Sequence, residues 1–207
     1  YPIKKKYNIF WKDRILYPDF RLKKQNDIIY NHIKNDDDEA YIGIGFKGFS
    51  YLNEDEISIL EEILVGSFVG NLYKKLRGDK GLIYHIDIDI SNYSDCGHFI
   101  IYFGTKNEKN RISQCLYHIF KELISIQDGK ISKKRINEIK NNIVENYKDS
   151  KTDTYERALI NCYDLTMKGK AVSVEENIKN IKKVQIKELV NISKELFSLK
   201  MCNITIV

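Results

Sequence analysis

The chain has 207 residues, of which 43% are hydrophobic and 12% aromatic, so it is predicted to fold around a packed core rather than form a disordered tail. Lys and Arg total 34 against 29 Asp and Glu, a net charge of +5. The lysines are interspersed with acidic residues, which is typical of solvated helix faces, so a nucleic-acid-binding module is only a remote alternative. No apolar run approaches the roughly 18 residues that cross a bilayer, and no signal peptide is recognised, so no membrane span is expected.

The four cysteines, Cys96, Cys115, Cys162 and Cys202, are far apart and form no C-x-x-C pair. This spacing predicts neither a disulfide framework nor a zinc ribbon. Three of them fall on apolar faces of predicted elements, so we expect buried, reduced thiols. Reduced thiols favour an intracellular compartment, which the sequence otherwise leaves open.

Residues 1–38 hold both prolines and end in the polar run KNDDDE. We interpret them as a lead-in or linker that includes a possible edge strand, and residues 39–207 as the domain. The domain opens with AYIGIGF, a strand that starts at Ala40. Its GIGFKG matches the dinucleotide fingerprint G-x-G-x-x-G only weakly, because the first two glycines lie inside the strand and no helix opens at the third.

Two helices are predicted next. Asn53 and the acidic residues after it indicate a helix start, since Asn caps well and carboxylates suit the positive end of the helix dipole. The apolar stripe of this helix is Ile57, Leu60, Ile63 and Leu64, and Gly66 ends it. The second helix carries Phe68, Val69, Leu72, Tyr73 and Leu76 at helical spacing and is predicted to stop at Gly78.

The segment LIYHIDIDIS then alternates between apolar and polar residues, which predicts a half-buried strand with Ile86, Ile88 and Ile90 in the core. With HFIIYFGT it forms a β-hairpin over residues 82–104. Helical segments follow at roughly 106–126, 131–149, 152–168, 174–183 and 185–197, and the strand MCNITIV closes the chain. Grouped strands and blocks of helices predict an α+β fold with a mostly antiparallel sheet and helices packed on one face.

Candidate chemistry is sparse in this sequence. The four histidines, His32, His85, His98 and His118, include no H-x-x-E-H or H-E-x-x-H pair, and His85 and His98 are offset too far along the hairpin to meet. We therefore predict no metal site in this chain. Arg77 and Tyr84 remain as candidates, although an arginine suits any helix C-terminus and a tyrosine suits any strand.

The ordered segments YIGIGF, LYKKLRGDKGLIYHI, NYSDCGHFIIYFGT and ISKKRINEIKNNIVENY resemble the second domain of the insulinase/pitrilysin family of zinc metallopeptidases, especially its mitochondrial-processing-peptidase-like branch. The similarity covers about residues 40–207 and is most specific in LR…KGLIY and Y-x-D-x-G-x-F-x-I-Y-x-G-T. In that family the first domain carries zinc on an H-x-x-E-H helix, and the second has lost those ligands.

The resemblance implies that this chain is the zinc-free, substrate-binding half of a peptidase, inactive alone. Zinc would be held only in a homologous partner half, on the same polypeptide or another subunit. The resemblance also implies that Arg77 and Tyr84 contact the backbone of the peptide substrate and stabilise the transition state. A catalytically dead structural relative, like the core subunits of a respiratory complex, is the alternative. Strict alternation would place Tyr84 on the core face with Ile86 and Ile88, so its catalytic role requires that it lie beyond the core.

Overall fold

A computed structural model of the chain describes residues 25–34, 36–66, 70–93, 96–150 and 153–207. The strands are β1 (Ile29–His32), β2 (Glu39–Gly48), β3 (Ile83–Asn92), β4 (Gly97–Lys106) and β5 (Cys202–Ile206). The helices are α1 (Glu54–Leu64), α2 (Asn71–Tyr73, continued by the π-helical segment Lys74–Asp79), α3 (Lys109–Gln127), α4 (Lys133–Asp149), α5 (Thr154–Met167), α6 (Val174–Lys183) and α7 (Ile186–Leu196). Short 3-10 turns lie at Tyr51–Asn53 and Leu199–Met201.

The five strands form one sheet in the order β1-β5-β2-β4-β3. Every neighbouring pair is antiparallel except β1 with β5, which is parallel. The predicted α+β class, the mostly antiparallel sheet and the hairpin are therefore confirmed. The division into a lead-in of residues 1–38 and a domain of residues 39–207 stays a prediction. Most of that lead-in lies outside the described residues, and β1 lies at an edge of the sheet.

The hydrophobic core lies between the sheet and the helices. On β2, Ile42, Ile44 and Phe46 are buried while Tyr41 and Lys47 are exposed, as the pleat of a strand with one buried face requires. The helices supply the other side of the core through apolar stripes such as Cys115, Ile119, Leu123 and Ile126 of α3. Removal of this surface from water is the main force that holds the helices on the sheet.

Some local expectations change in the structure. Asn53 occupies the N-cap position of α1, but its side chain makes no cap hydrogen bond there. The second helix does not stop at Gly78, because the π-helical segment continues to Asp79. Its predicted residues Phe68 and Val69 lie outside the described residues. Ile90 is only partly buried.

The expectation of buried thiols is confirmed for Cys115 and Cys202, and burial raises the pKa of the Cys202 thiol to about 11. Cys96 is partly exposed and Cys162 is exposed on α5, so the expectation is wrong for Cys162. Within the described ranges, none of the helices combines the length and apolar character needed to cross a membrane.

Candidate functional site

Arg77 lies in the π-helical segment that ends α2. Its side chain is exposed, and its guanidinium carbon is 5.7 Å from the ring centroid of Tyr73, a cation–π distance. Short π-helical segments are rare, and many occur at functional sites. Sequence patterns do not predict this segment, because its apolar spacing is that of an ordinary α-helix.

The turn after Arg77 is closed by backbone hydrogen bonds. The carbonyl of Arg77 accepts from the N–H of Lys80 and, at 3.2 Å, from that of Gly81. The N–H of Leu82 donates to the carbonyl of Leu76 at 2.7 Å. Gly81 has φ +57°, in the left-handed region that glycine adopts at little cost. Gly81, rather than Gly78, is therefore the glycine that the turn requires.

A β-bulge then places Tyr84 outside the core. Ile83 pairs with Thr105 and His85 pairs with Gly104, so Tyr84 is an extra residue on β3. Ile83 on one side and Ile86 on the other are both buried, whereas the Tyr84 side chain is 47% exposed. The expectation of strict alternation is therefore wrong at Tyr84, and the requirement that its side chain lie beyond the core is met.

His85 faces solvent, as alternation with the buried Ile86 requires, and its ring lies over β4. A Cβ atom at Gly104 would come within 2.5 Å of the His85 Cε1 atom and 2.7 Å of Glu39 Oε1, so a larger residue there would require these side chains to move. The ring centroids of His85 and Tyr41 are 5.8 Å apart. His98 lies opposite Ser91, far along the hairpin, and its Nε2 is 3.0 Å from Asp89 Oδ2. The prediction that the two histidines do not meet is confirmed.

Side chains from β4 and α3 hold the segment between Arg77 and Tyr84. The buried hydroxyl of Thr105 donates to the Leu82 carbonyl at 2.6 Å, and Arg111 Nε donates to the same oxygen at 3.1 Å. Arg111 Nη2 donates to the carbonyl of Gly81. Sequence reasoning missed both residues, since no local pattern connects them with a turn more than twenty residues earlier.

Charged groups of both signs lie near Tyr84. Lys106 Nζ is 2.6 Å from Glu108 Oε1, and the bond to Glu108 is the main cause that raises the pKa of Lys106. Tyr84 and Arg111 also act on the pKa of Lys106, in opposite directions, so these groups are electrostatic neighbours. Both cations are already engaged, Lys106 by Glu108 and Arg111 by the carbonyls of Gly81 and Leu82.

A cavity of about 600 Å³ lies elsewhere, between the start of α1 and helices α4, α5 and α6. At its wall Lys168 Nζ lies 2.8 Å from Glu54 Oε2 and 2.9 Å from Asp164 Oδ1. The other oxygen of the buried Asp164 accepts from the N–H of Val172 at 3.0 Å. Lys168, Glu54 and Asp164 therefore satisfy one another, and we interpret this cluster as structural.

Candidate metal ligands among the described residues are the side chains of His, Cys, Asp and Glu. Across those residues, no three His, Cys, Asp or Glu side chains come together in a group that could hold a metal ion. What the Arg77–Tyr84 turn offers is two exposed hydrogen-bond donors, a guanidinium and a phenol, on a rigid backbone. Such donors can bind a peptide carbonyl, but they cannot activate water by themselves.

Comparison with known proteins gives a family. The family model described as the peptidase M16 inactive domain matches residues 5–143. The chain is 26% identical over 167 residues to a Bacillus subtilis protein named as the uncharacterized zinc protease YmxG. That alignment covers 80% of this chain but 40% of the Bacillus protein, so the chain spans less than half the length of this relative.

Solved structures agree on the fold. A protease from Helicobacter pylori superposes with a TM-score of 0.81 at 16% identity, covering 94% of this chain and 48% of that one. A chain of complex III from Candida albicans superposes with a TM-score of 0.68 at 13% identity, covering 88% of this chain and 45% of that one. At these identities the likeness concerns architecture alone.

Proposed function

This chain belongs to the peptidase M16 inactive-domain family, and we propose that it is the zinc-free, substrate-binding half of a zinc metallopeptidase that cleaves peptides when paired with a zinc-bearing half. The name of the Bacillus relative supports a zinc protease, and the greater length of that relative leaves room for a second half. The proposal leaves open whether the zinc half is on the same polypeptide or on another subunit.

The observation that carries the proposal is the bulge at Tyr84. A tyrosine on a strand with one buried face would normally alternate into or out of the core with its neighbours. Here one extra residue exposes Tyr84 while Ile83 and Ile86 stay buried. Bulges are common both at sheet edges, where β3 lies, and beside active sites, where they re-aim a side chain, and the exposure of Tyr84 supports the second use here.

In the proposed assembly, bound zinc supplies the Lewis acid that polarises the scissile carbonyl. The Tyr84 hydroxyl donates a hydrogen bond to the carbonyl oxygen as negative charge develops on it. The Arg77 guanidinium, which has several donors in a fixed plane, binds a carbonyl of the peptide backbone and keeps the substrate in register. Both residues therefore act by binding and orientation, and neither transfers a proton to the leaving group.

The test uses this chain assembled with its zinc-bearing half, with zinc content measured before kinetics. Tyr84→Phe keeps the ring and deletes the hydroxyl, so kcat should fall roughly 10²–10³-fold, as for loss of one oxyanion donor. Arg77→Ala should lower kcat and also raise KM, because the bond to the peptide backbone exists before the transition state. Matched controls are Tyr155→Phe and Arg157→Ala, both exposed on α5, which should retain the wild-type rate.

A second candidate function is that of a catalytically dead relative with a structural role. The likeness in fold to the complex III chain favours this candidate. The same assembly separates the two functions. A zinc-loaded assembly in which Tyr84→Phe is as active as wild type would mean that the pair is structural. An assembly that takes up no zinc and cleaves no peptide would favour the dead relative.

A further inference from the structure

One guanidinium on α3 holds two consecutive carbonyls of the Arg77–Tyr84 turn. Arg111 donates through Nε to the carbonyl of Leu82 at 3.1 Å and through Nη2 to the carbonyl of Gly81. The buried Thr105 hydroxyl donates to Leu82 O at 2.6 Å, so this oxygen has two polar donors from different elements. Among the described residues, these two carbonyls take part in no helix or strand hydrogen bonding. The backbone bonds already close the turn, so the side-chain bonds are additional.

The planar guanidinium suits this arrangement. The donors of a guanidinium lie in a fixed plane and can reach two neighbouring oxygens at once, whereas the ammonium of lysine is a single point charge on a flexible stem. Arg111 also comes from a well-fixed backbone, in the first turn of α3, where the N–H of Ile112 donates to the Glu108 carbonyl at 3.0 Å. One turn further along, Cys115 is fully buried in the core.

The two carbonyls lie between the proposed substrate contacts. The backbone bonds at the Leu76 and Arg77 carbonyls fix the start of the turn, and the bonds from Arg111 and Thr105 fix its end, immediately before the bulge at Tyr84. The position of Tyr84 relative to Arg77 therefore depends on these side-chain bonds.

We propose that Arg111 is a positioning residue that fixes Arg77 and Tyr84 in the geometry needed to bind one peptide backbone. Its effect on catalysis rests on the proposed function, but its effect on the turn does not. Arg111 touches neither zinc nor the scissile bond in this proposal. It acts through the carbonyls of Gly81 and Leu82.

The experiment compares Arg111→Ala, Arg111→Lys and the control Arg157→Ala. In the chain itself, the amides of Gly81 and Leu82 donate to the carbonyls of Arg77 and Leu76. Their hydrogen exchange should accelerate about tenfold in Arg111→Ala, because the turn opens more often once the bonds from the charged donor to its carbonyls are lost. Exchange in the paired strands β2 and β4 should stay slow, which shows that the fold is intact. Thr105→Val, which removes the other donor to Leu82, should accelerate exchange at the same amides.

Kinetics of the zinc-loaded assembly give the second readout. Arg111→Ala should lower kcat roughly 10–10²-fold, the cost of misplaced contact groups, and in a Tyr84→Phe background it should cost much less. Arg111→Lys should behave like Arg111→Ala, because lysine keeps the positive charge but lacks the planar set of donors of the guanidinium. Full rescue by lysine would overturn the proposal in favour of a purely electrostatic role.

The two proposals fail separately. Unchanged exchange at Gly81 and Leu82 in Arg111→Ala overturns the positioning role, whatever the kinetics show. Additive kinetic losses in the double variant also overturn it, because Arg111 would then act independently of Tyr84. Faster exchange in Arg111→Ala together with a fully active Tyr84→Phe assembly would support the role of Arg111 in fixing the turn. The same result would contradict the proposed function of Arg77 and Tyr84.

Discussion

From Ile86 to Asp89, strand β3 alternates strictly between buried and exposed side chains, whereas at its beginning the successive residues Tyr84 and His85 both face solvent. The regular part is fixed by burial, since Ile86 and Ile88 are 8% and 7% exposed against the core. The bulged part is fixed by hydrogen bonds from Thr105 and from α3. The hydrophobic pattern therefore determines the regular part of β3. Polar contacts from β4 and α3 help to determine which side chains are exposed where β3 begins.

The largest effect is expected in the regular part. Ile88→Ala should lower the free energy of unfolding by about 2–5 kcal/mol, because it leaves a cavity under the helices. Asp87→Asn should change it by less than about 0.5 kcal/mol, since the side chain is exposed and Asn keeps the Oδ1 atom that accepts from the Ile88 N–H. Urea unfolding of the two variants measures both values. Equal losses would mean that the register of β3 is wrong.

The sequence predicts the regular part of β3 correctly and fails to predict the bulged part. The hairpin, the helices after it and the burial of Ile86 and Ile88 follow from apolar periodicity, which is a local property of the chain. The bulge does not follow from periodicity, because it is a shift of register against β4, and the side chains that hold the preceding turn, Thr105 and Arg111, are more than twenty residues away in the sequence. Resemblance to a known family points to Arg77 and Tyr84, and the structure shows that the bulge is what exposes Tyr84.

Substitutions at Gly78 and Gly81, which differ in the sign of φ, test the turn before the bulge. A Cβ atom would meet nothing within 4 Å at either Gly78 or Gly81, so steric contact is the same for both. Only Gly81 has a positive φ, and Gly81→Ala should therefore cost about 1–2 kcal/mol of unfolding free energy. Gly78→Ala should be neutral or stabilise by up to about 1 kcal/mol, since alanine restricts the unfolded chain.

Activity extends this test of the turn. In the zinc-loaded assembly, Gly81→Val should approach the loss caused by removing both Arg77 and Tyr84, because a β-branched residue strongly disfavours the left-handed conformation that aims them. Gly78→Ala serves as the control and should stay active. If Gly81→Val is fully active, the turn does not set the geometry of the pair.

The smallest effect concerns Glu61 of α1, whose charge is coupled to the regular part of β3. Burial is the main cause that raises the pKa of Glu61 to about 7, and the charges of Glu62 and Asp87 add to it. Folding therefore favours the protonated carboxyl. The resulting stabilisation is complete below pH 4.5, the ordinary Glu pKa, and is lost as the pH rises through 7.

Glu61→Gln is uncharged at every pH and should match the wild type near pH 4.5. At pH 8 it should be more stable by about 1–2 kcal/mol, less than the full pKa shift implies because the carboxyl is partly exposed to screening solvent. Unfolding free energies measured from pH 4.5 to 8 give the difference directly.

Two variants of β3 test the coupling to Glu61. In Asp87→Asn the loss of stability with rising pH should occur at a lower pH than in the wild type, because one of the charges that raise the pKa of Glu61 is gone. In Tyr84→Phe, in the bulged part, the pH of this loss should be unchanged. A shift with Tyr84→Phe as large as that with Asp87→Asn would mean that the two parts of β3 are coupled electrostatically, and the division between them would fail.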